Sequence, residues 1–310
     1  MSAIRNELEY INRTAAENPL DFVAASEMRF KNIISSIAER SLKARGHKLI
    51  LLAGPSASGK TTTAGKIAEA LGKGGVDTFR ISMDDYYLPA EKLPLQADGS
   101  RDYESIHALD IPLLRDNLRE LMETGCADLP IFNFKTGKRE PGRRICLDEE
   151  DMIVLEGLHA INPLLSEGLG WTGERVTKIY ISVSSRIYGP RQEIICTKRA
   201  MRLARRILRD AQFRNAPAEE TLSMWESVTK GEDHYLTPCK PNADLLINSV
   251  HIYEPCVFRD KVLPLVDAVS RDHPAYQEAA KLAKGLRRFL PLDSALVPKD
   301  SLLREFLGEL

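Results

Sequence analysis

The chain has 310 residues, 43% hydrophobic and 28% charged, enough to bury one large α/β core or a core with a smaller appendage. Its formal net charge of -1 provides no global pull toward nucleic acid or an anionic membrane, so any anion binding must come from local clusters. Five cysteines (Cys126, Cys146, Cys196, Cys239, Cys256) are scattered without a Cys-x-x-Cys pair, which argues against a disulfide framework and a zinc site and points to a reducing cytoplasm. The N-terminus has no apolar signal core and no stretch approaches the roughly 18 apolar residues of a membrane span, so neither export nor insertion is expected.

Residues 19 to 45 place Leu20, Val23, Met28, Ile33, Ile34, Ile37 and Leu42 at helical spacing, which predicts a helix starting after Asn18-Pro19 and stopping at Gly46. Residues 48 to 53 are continuously apolar after the lysine and are halted by Gly-Pro, the pattern of a strand buried on both faces and thus of the central strand. Similar runs at 77 to 82, 152 to 155, 177 to 183 and 244 to 247 alternate with helical patterns, which predicts a doubly wound parallel sheet flanked by helices. Residues 130 to 147 read as a β-hairpin around Lys-Thr-Gly-Lys, and 197 to 213 as a basic helix. After about residue 255 the pattern is helical, with a Pro-rich break around 291 to 298 and an amphipathic piece at 301 to 310. The expected organisation is an N-terminal helical segment (1–46), a central α/β domain (47–255) and a C-terminal helical appendage (256–310).

Residues 54 to 61, Gly-Pro-Ser-Ala-Ser-Gly-Lys-Thr, fit G-x-x-x-x-G-K-[ST] between a predicted strand and a predicted helix. In such a loop Gly54 and Gly59 permit a tight turn, and the N–H groups of Ser56, Ala57 and Ser58, with the positive end of the helix, point at phosphate oxygens. Lys60 reaches the β- and γ-phosphates, Thr61 offers its hydroxyl to Mg²⁺, and Thr62 completes the cradle. The motif implies ATP or GTP binding in a P-loop NTPase fold.

Kinases, ATPases and GTPases share that loop, and three features point to a kinase. The strand ending at Ser82 delivers Met83-Asp84-Asp85-Tyr86-Tyr87 to the carboxyl edge of the sheet, where a carboxylate can take an acceptor's proton; an Asx turn is the plainer alternative. Met-Ile-Val-Leu-Glu-Gly at 152 to 157 ends an apolar strand with Glu156, placed to reach the metal. Arg202, Arg205, Arg206 and Arg209 recur at i, i+3, i+4 and i+7, hence on one helical face with no acid before Asp210. A charge stripe alone is usually a solvated face; behind a P-loop it reads as a phosphate-clamping lid spanning about 197 to 216. It shows no aromatic interleaving, and no nucleic-acid role is expected. His107, His159 and His234, far apart in sequence, read as structural.

With these residues in place, the chain from about 47 to 250 resembles the uridine kinase and phosphoribulokinase family of P-loop kinases. Ser82-Met-Asp-Asp-Tyr-Tyr87 is similar to that family's Ser-x-Asp-x-[Phe/Tyr]-Tyr segment, which implies Asp84 as catalytic base and Tyr87 as a substrate contact. Asp102 to Asp110 is similar to its substrate segment but longer and without the proline, which implies that Asp102 or Glu104 holds ribose hydroxyls. Residues 130 to 139 resemble the hairpin that cups the base, with Phe132, Phe134 and Arg139 in matching places, although the family's base-reading histidine falls on Gly137. Residues 238 to 244 are similar to the segment near the adenine, which implies Lys240 in ATP binding. Ser301 to Gly308 further resembles a bacterial uridine kinase-like branch. The resemblance implies ATP and Mg²⁺ as cofactors, homo-oligomerisation, and a nucleoside such as uridine or cytidine as acceptor. Gly137 leaves ribulose 5-phosphate, pantothenate or glycerate open as acceptors, with Lys135, Lys138, Arg139, Arg143 and Arg144 available to hold a negative charge. A regulatory ATP-binding module without an acceptor is the remaining alternative.

Overall fold

The computed structural model describes residues 6–43, 48–96, 98–167 and 175–308. Nine strands are described: β1 (Lys48–Ala53), β2 (Thr78–Ser82), β3 (Cys126–Asn133), β4 (Lys138–Cys146), β5 (Met152–Gly157), β6 (Val176–Ser182), β7 (Ile187–Tyr188), β8 (Ile194–Cys196) and β9 (Leu245–Asn248). The helices are α1 (Leu8–Glu17), α2 (Pro19–Leu42), α3 (Lys60–Lys73), α4 (Ile111–Thr124), α5 (Pro163–Ser166), α6 (Lys198–Arg214), α7 (Ala218–Gly231), α8 (Glu254–Asp267), α9 (Tyr276–Leu286) and α10 (Arg304–Leu307).

The main sheet has the order β2-β5-β1-β6-β9, with all its neighbours parallel. The expected doubly wound sheet is therefore present, and its five strands are the five apolar runs of the sequence. β1 lies in the middle, and its alternate residues serve different faces. Ile50 and Leu52 join a cluster with α1, α2, α3 and the helices after residue 197, while Leu49, Leu51 and Ala53 join a second cluster with α4 and the base of the hairpin. Burial on both faces explains why these strands read as apolar runs rather than alternations.

Several expectations need correction. Two N-terminal helices are present rather than one, since α1 precedes Pro19; it hides only Leu8, Ile11 and Ala15, too sparse a pattern to stand out. Leu20 and Met28, counted toward the apolar stripe of α2, are exposed. The proposed stop at Gly46 lies outside the described residues. The C-terminal region is less a surface appendage than part of the core: Leu302, Leu303, Phe306 and Leu307 share the first cluster with α1, α2 and the sheet.

The cysteine reading is also overturned at one pair. β3 and β4 form the expected antiparallel hairpin, and its first rung sets Cys126 opposite Cys146, with Cα atoms 4.1 Å apart and a disulfide between them. Twenty residues separate the two in sequence, so no short motif announces a pair that strand register creates. Cys196, Cys239 and Cys256 are free thiols. The cysteines thus no longer argue for a reducing compartment. Among the described residues, no helix is long and apolar enough to cross a membrane.

Candidate active site

Because the sheet is parallel, β1, β2, β5 and β6 all end on one edge, where ligands of open α/β sheets bind. The loop after β1 turns into α3 through two left-handed residues, Ala57 (φ 57°) and Gly59 (φ 89°). Gly59 meets that need without the clash a β-carbon would bring. Lys60, the first residue of α3, donates from Nζ to the Pro55 carbonyl at 3.3 Å, so it arches back over the loop. The motif's expected geometry is formed.

Beside it, Thr61 Oγ1 donates to Glu156 Oε1 at 3.1 Å, and Ser82 Oγ donates to the same oxygen at 3.3 Å. Burial in the sheet edge pushes the Glu156 carboxyl up, partly offset by the charge of Lys60. Asp84 is the second residue of the 3₁₀ turn Met83–Tyr86 after β2, where Ser82 Oγ accepts its backbone N–H at 3.3 Å. Its side chain keeps solvent contact, yet it stands in a cleft crowded by protein. Desolvation pushes its pKa up, while Lys60, Arg214 and Arg209 pull it down. Asp84 is therefore within electrostatic reach of Lys60 in the phosphate loop.

The arginine stripe divides. Arg206 donates from Nη1 to Ser56 Oγ at 2.9 Å, and its charge is felt by Glu104. Arg209 is held by Asp210 yet acts on Asp84, as does Arg214, which the stripe pattern had left out. Arg202 and Arg205 do not line the phosphate face as expected. Arg202 makes a two-pronged pair with Glu232, both contacts 2.7 Å, and donates to the Ser56 carbonyl. Arg205 is wholly buried, donating to Glu254, to Ser249 and to the carbonyls of Ala57 and Ser58. They brace the loop from behind. Glu232 also accepts the Ser56 N–H at 2.7 Å, so one of the expected phosphate donors is engaged by a carboxylate.

A cavity of about 170 Å³ opens beside the loop between Pro55, Tyr180, Ser182, Arg199, Asp233 and Lys240. Lys240 Nζ lies 5.2 Å over the Tyr180 ring. This recess adjoins the phosphate loop and includes the lysine singled out from the sequence.

Across the cleft stand the remaining candidates. Tyr87, Phe132 and Phe134 form an aromatic cluster, with the Tyr87 ring 5.9 and 6.0 Å from the two phenylalanines and those 4.9 Å from each other. The Tyr87 hydroxyl donates to the Tyr103 carbonyl at 3.0 Å, so its one proton is already engaged within the protein. Asp102 Oδ2 accepts from Tyr235 at 2.7 Å. Glu104 is half-buried, and its pKa is raised to about 7 by desolvation, with Glu232 and Asp102 adding to the rise and Arg206 and Lys60 opposing it. His159 Nε2 is 2.8 Å from the Glu104 carbonyl, and burial lowers this imidazole to about 4, so it is neutral and structural as expected. Arg139 pairs with Asp110 at 2.9 Å. Gly137, with φ 66°, is the hairpin's turn residue. Tyr235 and Glu232 escaped the sequence reading because they lie on a helix joined to the site only by folding.

A phosphate loop at the carboxyl edge of a parallel sheet, with a carboxylate across the cleft and arginines behind it, defines a P-loop phosphotransferase. The profile of the Phosphoribulokinase / Uridine kinase family matches residues 49–163. The chain is 30% identical over 200 residues to a uridine kinase of Ureaplasma parvum (64% of this chain, 86% of that one) and 30% identical over 200 residues to a uridine kinase of Brevibacillus brevis (64% and 83%). Among solved structures, a possible uridine kinase from Bacillus stearothermophilus aligns at a TM-score of 0.48 with 20% identity, over 71% of this chain and 99% of that one. The chain belongs to the phosphoribulokinase and uridine kinase family and is a phosphotransferase acting on a hydroxyl acceptor.

Proposed function

We propose that the protein transfers the γ-phosphoryl group of ATP to the 5′-hydroxyl of a nucleoside, uridine or cytidine. The observation that carries the acceptor class is the charge pattern of the cleft wall. Asp84, Asp102 and Glu104 gather there beside an aromatic cluster, while the hairpin guanidiniums are engaged elsewhere: Arg139 by Asp110, Arg144 by Asp128 and Arg143 by the Arg80 carbonyl. Lys135 and Lys138 sit exposed on the turn. Such a wall suits a neutral acceptor rich in hydroxyls with a flat ring, and opposes the anionic ribulose 5-phosphate, pantothenate and glycerate.

Lys60 and Arg206 stabilise charge on the transferring group, since both cations are already held against the loop. The Thr61 hydroxyl and Glu156 carboxylate, hard oxygens sharing a hydrogen bond, fit Mg²⁺, an ion usually held by one or two protein ligands with phosphate and water completing its shell. When bound there, Mg²⁺ would neutralise phosphate charge. Asp84 accepts the acceptor's hydroxyl proton, and its raised pKa makes it a better base than a free aspartate. The aromatic cluster positions the ring, and the Asp102–Glu104 segment receives the sugar hydroxyls. The recess around Tyr180 and Lys240 takes the adenine.

The test is ATP consumption with Mg²⁺ against uridine, cytidine, ribulose 5-phosphate, pantothenate and glycerate, with a no-acceptor control. Stimulation by the nucleosides is expected. Stimulation only by an anionic acceptor would overturn the nucleoside assignment, and turnover independent of any acceptor would overturn the transfer reaction.

A further inference from the structure

Thr62, the residue after the P-loop signature, has one hydroxyl proton to donate. It donates that proton to Glu305 Oε2 at 2.6 Å, across 243 residues of sequence. The segment carrying Glu305 is built into the site. Ser301 donates to Glu27 Oε1 at 2.6 Å, and the buried Leu302 lies so close to the loop that a β-carbon on Gly59 would sit 2.7 Å from its Cδ1. The Phe306 ring lies 5.0 Å from the Arg205 guanidinium carbon. A carboxylate is thereby held at the amino end of α3, the end that attracts phosphate. Its charge is felt by Glu156, where it adds to the upward push on that carboxyl.

A phosphate oxygen seeking the Thr62 hydroxyl needs the proton that already points at Glu305, and the two acceptors carry like charge. We infer that Glu305 sets nucleotide affinity by competing with a phosphate of ATP for Thr62, so that docking of the C-terminal segment and nucleotide binding oppose each other. The inference rests on the reading of residues 54–62 as the ATP site. Linkage makes the opposition reciprocal: ATP loosens the segment around Glu305, and removing the carboxylate tightens ATP. A Glu305 that merely oriented Thr62 for ATP would produce the opposite sign.

The experiment is calorimetric titration of ATP with Mg²⁺ into the full chain and its Glu305→Gln and Glu305→Ala variants, with amide exchange followed over residues 300–308. Glu305→Gln keeps the side chain's shape and an oxygen acceptor, and so guards against a variant that fails to fold. ATP should bind both variants roughly five- to tenfold more tightly, the net size of one hydrogen bond released. In the wild-type chain, ATP should speed exchange at 300–308. Unchanged or weaker ATP binding by Glu305→Gln, or exchange slowed by ATP, overturns the inference alone. No ATP binding by the wild-type chain overturns the nucleotide-site reading and the inference with it.

Discussion

Arg205 Nε donates to Glu254 Oε2 at 2.7 Å with both side chains wholly removed from solvent, and the same guanidinium holds the carbonyls of Ala57 and Ser58. The phosphate loop is therefore suspended from a buried ion pair. Arg205→Met leaves the Glu254 carboxylate buried and unpaired and should cost about 3–5 kcal/mol of stability in a denaturant titration. Arg205→Met with Glu254→Gln should cost less than the sum of the two single changes, because the pair is removed together. Additive losses would show that the two residues do not act as a pair.

Asp84 faces Lys60 across the cleft without bracing the loop. Asp84→Asn should retain ATP binding by calorimetry and lose transfer by roughly 10²- to 10⁴-fold, the usual contribution of a positioned general base. Turnover equal to wild type would remove it from the proton-transfer step.

Phe132 and Phe134 pack against Tyr87 and one another on the hairpin side of the cleft. Phe134→Ala should raise the KM for the nucleoside roughly three- to tenfold, in line with the loss of one aromatic pair, and leave the KM for ATP unmoved. A change confined to ATP would place the cluster outside the acceptor site.

Glu104 links pH to stability and, on the proposed reading of the site, to acceptor binding. Its pKa rises from the ordinary 4.5 to about 7, so the folded state holds this proton more tightly than the unfolded chain. Its contribution to stability is fully present below pH 4.5 and fades as pH rises through 7. Glu104→Gln should therefore raise Tm relative to wild type at pH 8 and change it little at pH 4.5. If the ionised carboxylate receives acceptor hydroxyls, kcat/KM for the acceptor should rise through about pH 7, and the variant should lack that inflection. A variant with the wild-type pH profile would exclude Glu104 from binding.

The disulfide has a direct check. Alkylation in denaturant without reductant should label Cys196, Cys239 and Cys256 and spare Cys126 and Cys146, as read by mass spectrometry of the peptides. Labelling of all five would contradict the pairing.

Legibility followed the range of the interactions. The P-loop was readable because its function resides in consecutive backbone groups, and Glu156 because a strand of known direction delivers its carboxyl end to the sheet edge. The four arginines were found as a stripe, but helical spacing says only that they share a face. Whether that face meets phosphate or the rear of the loop depends on Glu232 and Glu254, which lie 30 and 49 residues beyond their partners. Cys126–Cys146 and Tyr235–Asp102 were hidden for the same reason.

By itself, then, the sequence determined the parallel sheet, the phosphate loop and the acid at its side, since each is written in a local run of residues obeying backbone geometry. Tertiary structure alone decided that Arg202 and Arg205 brace the loop while Arg206 and Arg209 face the cleft, and that α10 sets Glu305 against Thr62. Those contacts join segments far apart in the chain, and only the packing of the helices on the sheet brings their side chains within hydrogen-bonding distance.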